Sequence, residues 1–285
     1  ARRGKNGRFG GLGKVANQLT NTPWKKAASA TAGIIGIPTA SYLTIRSKYR
    51  AGFSKSADMA LSAASGITVP DIADDKNSIT FTAGGLTKQQ GVAANYMSQR
   101  LSSSLPDHHF VPMPDLKVHL MTRDAKLGFP YDPRDVAKGF LDPVIKKGRN
   151  PDAIQLAATV YAYKQKYPNK DVNLIGYSAG GLVTNEAQEI LTKLGVKSKT
   201  ANIASPYFGL TEHKASENIT FSSKHDPVLK YLPKINARAV DSVTPSGITE
   251  LPGLGKIVPG HDIREYLPEG KDNEVIQKMR SFFGT

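Results

Sequence analysis

The sequence predicts an α/β fold, a mostly parallel central sheet flanked by helices, preceded by a cationic helical N-terminal extension. Three observations carry this expectation. From residue 76 onward, short β-branched and apolar runs alternate with longer runs of helical periodicity. Glycine turns close several of the strand-like runs, as strand-to-helix connections require. Positive charge is concentrated at one end: eleven basic residues precede the first acidic residue, Asp58.

Composition bounds the classes. The chain has 285 residues, 39% of them hydrophobic and 22% charged, enough apolar material for a core. The 26 glycines and 18 prolines follow no period, which excludes a collagen-like chain. With no cysteine, a disulfide framework, a thiol nucleophile and a cysteine-held metal are excluded. Formal net charge is +14, of which +11 lies before Asp58, so the remaining 228 residues are near neutral. A partner of negative charge is therefore expected for residues 1–57: a membrane surface or an acidic protein. Nucleic acid is not expected, because aromatic residues are not interleaved with these basic ones.

Within the cationic segment, 27–45 (AASATAGIIGIPTASYLTI) carries no charge and is flanked by Lys25 and Lys26 before, and by Arg46, Lys48 and Arg50 after. Nineteen uncharged residues suit a bilayer crossing in length. Small residues dilute the isoleucines, although packed membrane helices also use small residues. A membrane-embedded helix, an interfacial or partner-docked segment and a buried connecting helix all fit the pattern. Membrane association is the expected localisation, with the compartment open. The domain reading is a basic extension over 1–75, with a possible membrane-associating helix at 27–45, and an α/β domain over 76–285. That domain is expected to hold a complete core of its own.

The elements follow in order. Residues 78–82 (SITFT) read as a buried strand ending in Ala83-Gly84-Gly85. A helix is expected over 89–105, a strand over 117–121, and helices over 135–147 and 151–167, the last with Pro151 at its first position. A strand over 171–176 (DVNLIG) leads into a helix over 179–194 ended by Gly195. Strands over 199–204 and 218–223 and a closing helix over 274–283 complete the pattern.

The chemistry gathers at one turn. Gly176-Tyr177-Ser178-Ala179-Gly180 matches G-x-S-x-G, with an apolar strand before it and an amphipathic helix after it. A serine there sits on a sharp, strained turn with its hydroxyl exposed, and small neighbours let strand and helix approach. The helix N-terminus offers an amide and a favourable dipole to a developing oxyanion. Without the flanking pattern, five residues of this kind would be no more than a glycine-rich turn with an incidental serine.

A serine hydroxyl needs a base. In this chain order the acid follows the second strand after the nucleophile, and the histidine comes later. Asp226 stands just after 218–223, and His261 is the one histidine downstream of it. Asp241 is the alternative acid; Asp226 could also be a capping aspartate before Pro227, and His261 a loop histidine. His225 could support Asp226 or be a solvated loop residue, while His108, His109, His119 and His213 fall outside the order. For the oxyanion, the expected donors are the amides of Ala179 and Gly85, with Leu86 as second choice after Gly85. A plain strand-end turn is the other reading of that glycine loop.

On Gly176-Tyr177-Ser178-Ala179-Gly180, Ala83-Gly84-Gly85, Asp226-Pro227-Val228 and His261, the chain from about residue 78 resembles the α/β-hydrolase fold, and within it the lipases and esterases. Asp226-Pro227-Val228 with Leu232-Pro233, and His261 with Tyr266, are similar to the acid and histidine regions of the class 3 lipases. Ala83 stands where many members have histidine, and Tyr177 where lipases commonly have histidine. The resemblance implies a serine-dependent ester hydrolase acting on a lipid or other ester through Ser178, His261 and Asp226, with no cofactor and no metal. The alternative is a catalytically inactive subunit of the same fold, anchored in a membrane-associated complex.

Overall fold

The run DVNLIGY alternates its side chains across two faces and builds β3 (Asp171–Tyr177), the central strand of a five-stranded sheet. The computed structural model describes residues 23–85, 90–113, 150–226, 229, 250–251, 255–256 and 260–284. Its other sheet strands are β1 (Ser78–Ala83), β2 (His108–Met113), β4 (Lys199–Ile203) and β5 (Asn218–Phe221). They lie in the order β2-β1-β3-β4-β5, and every pairing is parallel. Helices cover both faces, as a parallel sheet requires. The mostly parallel α/β architecture expected from the alternating pattern is the one observed. A separate two-stranded antiparallel ribbon joins β6 (Glu250–Leu251) to β7 (Gly255–Lys256).

Two apolar layers form. On one face, α4 (Gln90–Ser102), the short α7 (Ile263–Tyr266) and α8 (Glu274–Phe283) bury Met97, Leu101, Ile263, Tyr266, Ile276 and Met279 against Ile175, Ile203 and Phe221. On the other, α5 (Pro151–Lys166) and α6 (Ala179–Lys193) pack Leu156, Val160, Val183 and Ile190 against Phe81 and Leu174. Helix α5 starts where expected, with Asn150 Oδ1 accepting from the Asp152 amide at 3.1 Å and Pro151 next to it. Strand β2 was not expected. Its sequence, HHFVPM, lacks polar–apolar alternation and contains Pro112, which is tolerated at an edge; among the described residues β2 pairs with β1 alone. The strand expected over 117–121 and the helix expected over 135–147 lie outside the described residues.

The 27–45 segment, expected as one helix, is two. α1 (Pro23–Ile35) and α2 (Thr39–Ala51) meet at Gly36, whose φ of +73° is left-handed, and at Pro38. Continuing the helix through Pro38 would cost about 3 kcal/mol, so the chain turns instead. α3 (Phe53–Ala64) follows after Gly52. Among the described residues no single helix is long and apolar enough to cross a membrane; α1 with α2 and α3 passes such a test only as a pair bent by 112°.

These three helices share the core of the sheet's second face. Ala28, Ala32, Tyr42, Tyr49, Phe53, Ala57 and Ala60 belong to the same buried cluster as Phe81, Leu174, Val183 and Phe208. That face is therefore not closed by the 76–285 region alone. Ala28 and Ala32, which dilute the hydrophobicity of α1, are fully buried in that cluster. Two of the eleven basic residues also serve the fold: Arg46 is buried, and Arg50 pairs with Glu189 at 3.3 Å and Glu212 at 2.5 Å. Lys26, Lys48 and Lys55 remain exposed.

Candidate active site

Parallel strands bring all their carboxyl ends to one edge, and in open α/β sheets that edge is where ligands bind. Here it gathers the Ala83–Gly85 turn after β1, Ser178 after β3, Ser205 after β4 and Asp226 after β5.

Ser178 sits between β3 and α6 with φ 53° and ψ −122°, one of two non-glycine residues with positive φ among the described residues. Such a conformation costs of order 1–3 kcal/mol and persists where its surroundings over-determine it. Three glycines make the turn possible. A Cβ on Gly176 would lie 2.5 Å from Gly181 Cα and 2.6 Å from the Gly180 carbonyl oxygen. One on Gly180 would meet the Ala83 carbonyl oxygen at 2.3 Å, and one on Gly181 would meet Ser205 Oγ at 2.1 Å. Strand, helix and the loop after β1 are thus in backbone contact around the serine, and the Ser205 side chain packs against Gly181.

The expected partners converge on it. His261 Nε2 lies 3.0 Å from Ser178 Oγ, and His261 Nδ1 lies 2.7 Å from Asp226 Oδ2. Asp226 is fully buried, and its other oxygen accepts from the Leu229 amide at 3.1 Å. That arrangement makes Nδ1 the protonated nitrogen and leaves the Nε2 lone pair toward the serine hydroxyl. A serine, imidazole and carboxylate linked in this sense can pass a proton from the hydroxyl to the ring, with the carboxylate holding the ring and stabilising its cation.

No family model matches the chain. No curated protein matches it either. Among solved structures the chain is similar to Trichoderma reesei cutinase in complex with a C11Y4 phosphonate inhibitor, with 15% identity, 79% of this chain and 88% of that chain covered, and a TM-score of 0.36.

Both expected oxyanion donors stand beside the serine. Ala179 is the first residue of α6, where an amide has no partner within the helix. Gly85 lies so close that an added Cβ would sit 2.8 Å from Ser178 Cβ and 3.3 Å from Ser178 Oγ. Leu86 and Asp241, the second choices for donor and acid, lie outside the described residues, as do Pro227, Val228 and the 232–233 pair. Of the histidines set aside for being out of order, His119 lies outside the described residues, and His108 is engaged elsewhere. His108 is buried, bonds Thr80 Oγ1 at 2.7 Å, and is pushed down to about 4 by burial. His225 is exposed, and its own carbonyl packs where a Gly260 Cβ would be.

A bracing network around the histidine was not legible in the sequence. The Tyr177 hydroxyl donates to the His261 carbonyl oxygen. Glu265 Oε2 accepts from the Gly260 amide at 2.7 Å. The Tyr266 hydroxyl accepts from the Ser223 amide at 2.8 Å and donates to the Gly260 carbonyl oxygen at 3.3 Å, tying the acid loop to the histidine loop. Burial raises the Tyr177 and Tyr266 phenols well above their ordinary range, so both remain donors throughout the neutral and mildly alkaline range. The sequence marks Tyr177 and Tyr266 only as points of resemblance; their hydrogen bonds to the histidine loop come from the fold.

Proposed function

We propose that the chain is a serine-dependent carboxylic ester hydrolase of lipase or esterase type, working at a membrane surface. The observation that carries the reading is the continuous link from Ser178 Oγ through the His261 ring to the buried Asp226 carboxylate. Its placement at a strained turn before a helix N-terminus supports the same chemistry.

In the proposed reaction Ser178 Oγ attacks the ester carbonyl carbon while its proton passes to His261 Nε2. The carbonyl oxygen takes the negative charge and is held by the amides of Ala179 and Gly85. When the tetrahedral centre collapses, the bond to the alcohol oxygen breaks and His261 gives that oxygen its proton. A water molecule, deprotonated by His261, then attacks the acyl-serine. The acid is released and Ser178 recovers its proton. Asp226 accepts from Nδ1 throughout and stays ionised.

Fluorophosphonate labelling tests the chemistry. The parent chain should form a covalent adduct and Ser178→Ala should not. A folded parent chain that fails to label would favour the inactive-subunit alternative.

The membrane part of the reading rests on charge and apolar content. Basic residues near an anionic bilayer contribute about 1 kcal/mol each. Three exposed lysines of the arm and the basic residues before α1 supply several such terms. Ile34, Ile35, Ile37 and Leu43, half-buried around the α1–α2 bend, offer apolar surface beside them. Flotation with anionic vesicles should recover the full chain, and about 1 M salt, where the Debye length is near 3 Å, should release it. Binding to neutral and anionic vesicles alike would remove the electrostatic part of this reading.

A further inference from the structure

The helices α1 and α2 reach the proposed site through one loop. Residue Thr31 of α1 and residues Tyr42 and Arg46 of α2 all donate to two successive carbonyls in the stretch that follows β4. Thr31 Oγ1 reaches the Phe208 carbonyl oxygen at 3.2 Å, and the Tyr42 hydroxyl reaches the same oxygen at 2.7 Å. Arg46 Nε reaches the Gly209 carbonyl oxygen at 2.5 Å. Arg50 adds an ion pair to Glu212 at the far end of the stretch.

That stretch is buried along its whole length, from Ser205 to Thr211, and its near end touches the nucleophile. Ser205 Oγ donates to the Ser178 carbonyl oxygen at 2.8 Å. The same side chain fills the space in front of Gly181, in the first turn of α6. Ala204, which precedes Ser205, has φ 48° and is the other non-glycine residue with positive φ among the described residues. The two strained positions are neighbours: the Ser178 amide donates to the Ile203 carbonyl oxygen, and the Ala204 amide to the Phe221 carbonyl oxygen, both at 2.8 Å.

Two adjacent strained residues need an external restraint to stay where they are. For Ser178 the restraint is the Ser205 hydroxyl together with the Gly181 amide, which donates to the same Ser178 oxygen at 3.1 Å. For Ala204 it is the loop, and the loop is held from its other side by the N-terminal helices.

We propose that α1 and α2 are an activating clamp: through Thr31, Tyr42 and Arg46 they fix the loop whose Ser205 sets the position of Ser178 and of the α6 amide facing the oxyanion. These four are positioning residues; none of them touches the substrate. This rests on the hydrolase reading given above. It makes the N-terminal segment a determinant of turnover in addition to any role at a membrane.

Full-length variants test it with a short water-soluble ester. Tyr42→Phe keeps the buried ring and removes one hydrogen bond; Ser205→Ala removes the contact to Ser178. Each should melt within a few degrees of the parent, while kcat falls by about fivefold for Tyr42→Phe and about tenfold for Ser205→Ala, the scale of one lost hydrogen bond. KM should be unchanged, and the rate of fluorophosphonate labelling should fall in step with kcat. Ser205→Thr, which keeps the hydroxyl, should restore most of the loss. Folded Tyr42→Phe and Ser205→Ala proteins with parental kcat would overturn the clamp, as would a loss of rate that merely follows the folded fraction as temperature is varied. Failure of the hydrolase reading is distinguishable: there the parent itself would not label, or Ser178→Ala would label as the parent does.

Discussion

Tyr177 donates its hydroxyl to the carbonyl oxygen of His261, so the residue just before Ser178 holds the loop that carries the histidine. The ring packs beside the imidazole at 5.6 Å between centroids. Ser178 and His261 are thereby positioned from one strand end. Tyr177→Phe keeps the packing and deletes the bond. Its kcat should fall by about three- to tenfold with little change in KM, the scale of one hydrogen bond of modest net strength. Because burial keeps the phenol protonated, the alkaline side of the pH–rate profile should be the same in both proteins. Steady-state kinetics across pH check this, and an unchanged kcat would leave Tyr177 with a packing role only.

His261→Ala should remove nearly all ester hydrolysis, since Ser178 then has no base within 3.0 Å. Asp226→Asn should reduce kcat by about 10⁴, the loss known for a triad carboxylate changed to its amide. Asp241→Asn should be mild. Hydrolysis rates of the three variants, compared at equal folded concentration, decide the assignment; a damaging Asp241→Asn beside a mild Asp226→Asn would move the acid elsewhere.

Gly85→Ala places a methyl carbon 2.8 Å from Ser178 Cβ, closer than such atoms approach. Either the loop shifts, and with it the proposed oxyanion donor, or the serine leaves its conformation. Both outcomes predict a fall in kcat of about 10²-fold or more, the scale of losing one oxyanion donor. The melting temperature should change far less, because the strain is relieved at the sheet edge. Parental turnover in Gly85→Ala would remove this residue from the oxyanion site.

Glu186 lies buried in α6, and burial pushes its carboxyl up to about 7, with the Asp152 and Glu189 carboxylates adding to the rise. The folded chain therefore keeps a proton that the unfolded chain, with an ordinary value of 4.5, gives up. Its contribution is fully present below the unfolded value and is lost as pH rises through the folded one. A displacement of this size amounts to roughly 3 kcal/mol. Glu186→Gln should flatten the fall in stability between about pH 5 and 8 and raise the melting temperature at the upper end, with no gain at the lower. Thermal melts over that range test it, and equal slopes in parent and variant would refute it.

Local chemistry made much of the architecture legible. Strand β3, helix α6 and the turn between them are written in a single stretch, because apolar alternation, three glycines and helical periodicity each act over a few residues. The order of Ser178, Asp226 and His261 is likewise a property of the chain, and the structure brings the three together. Strand β2 was hidden because an edge position relaxes the demand for alternation and admits Pro112. The role of the N-terminal helices was hidden for a different reason. Ala28 and Ala32 read as weakly apolar, and Arg46 as one more surface charge, until the loop at Phe208 and Gly209 is set against them. Such contacts join residues more than 160 positions apart, and no window along the chain contains both partners.

That separation carries a consequence for how the protein is made. The helices that hold the loop leave the ribosome before it, and the loop leaves 166 residues after Tyr42. At about 5–20 residues per second, the interval is roughly 8–33 s. For that time α1 and α2 have an apolar face and no loop to close on, so a binding partner during synthesis, whether chaperone or bilayer, would compete with the native contact rather than follow it. Once residues 205–212 emerge, docking is intramolecular. Chains stalled before residue 205 should accordingly leave the α1–α2 bend open to protease, and chains stalled well beyond residue 261 should protect it.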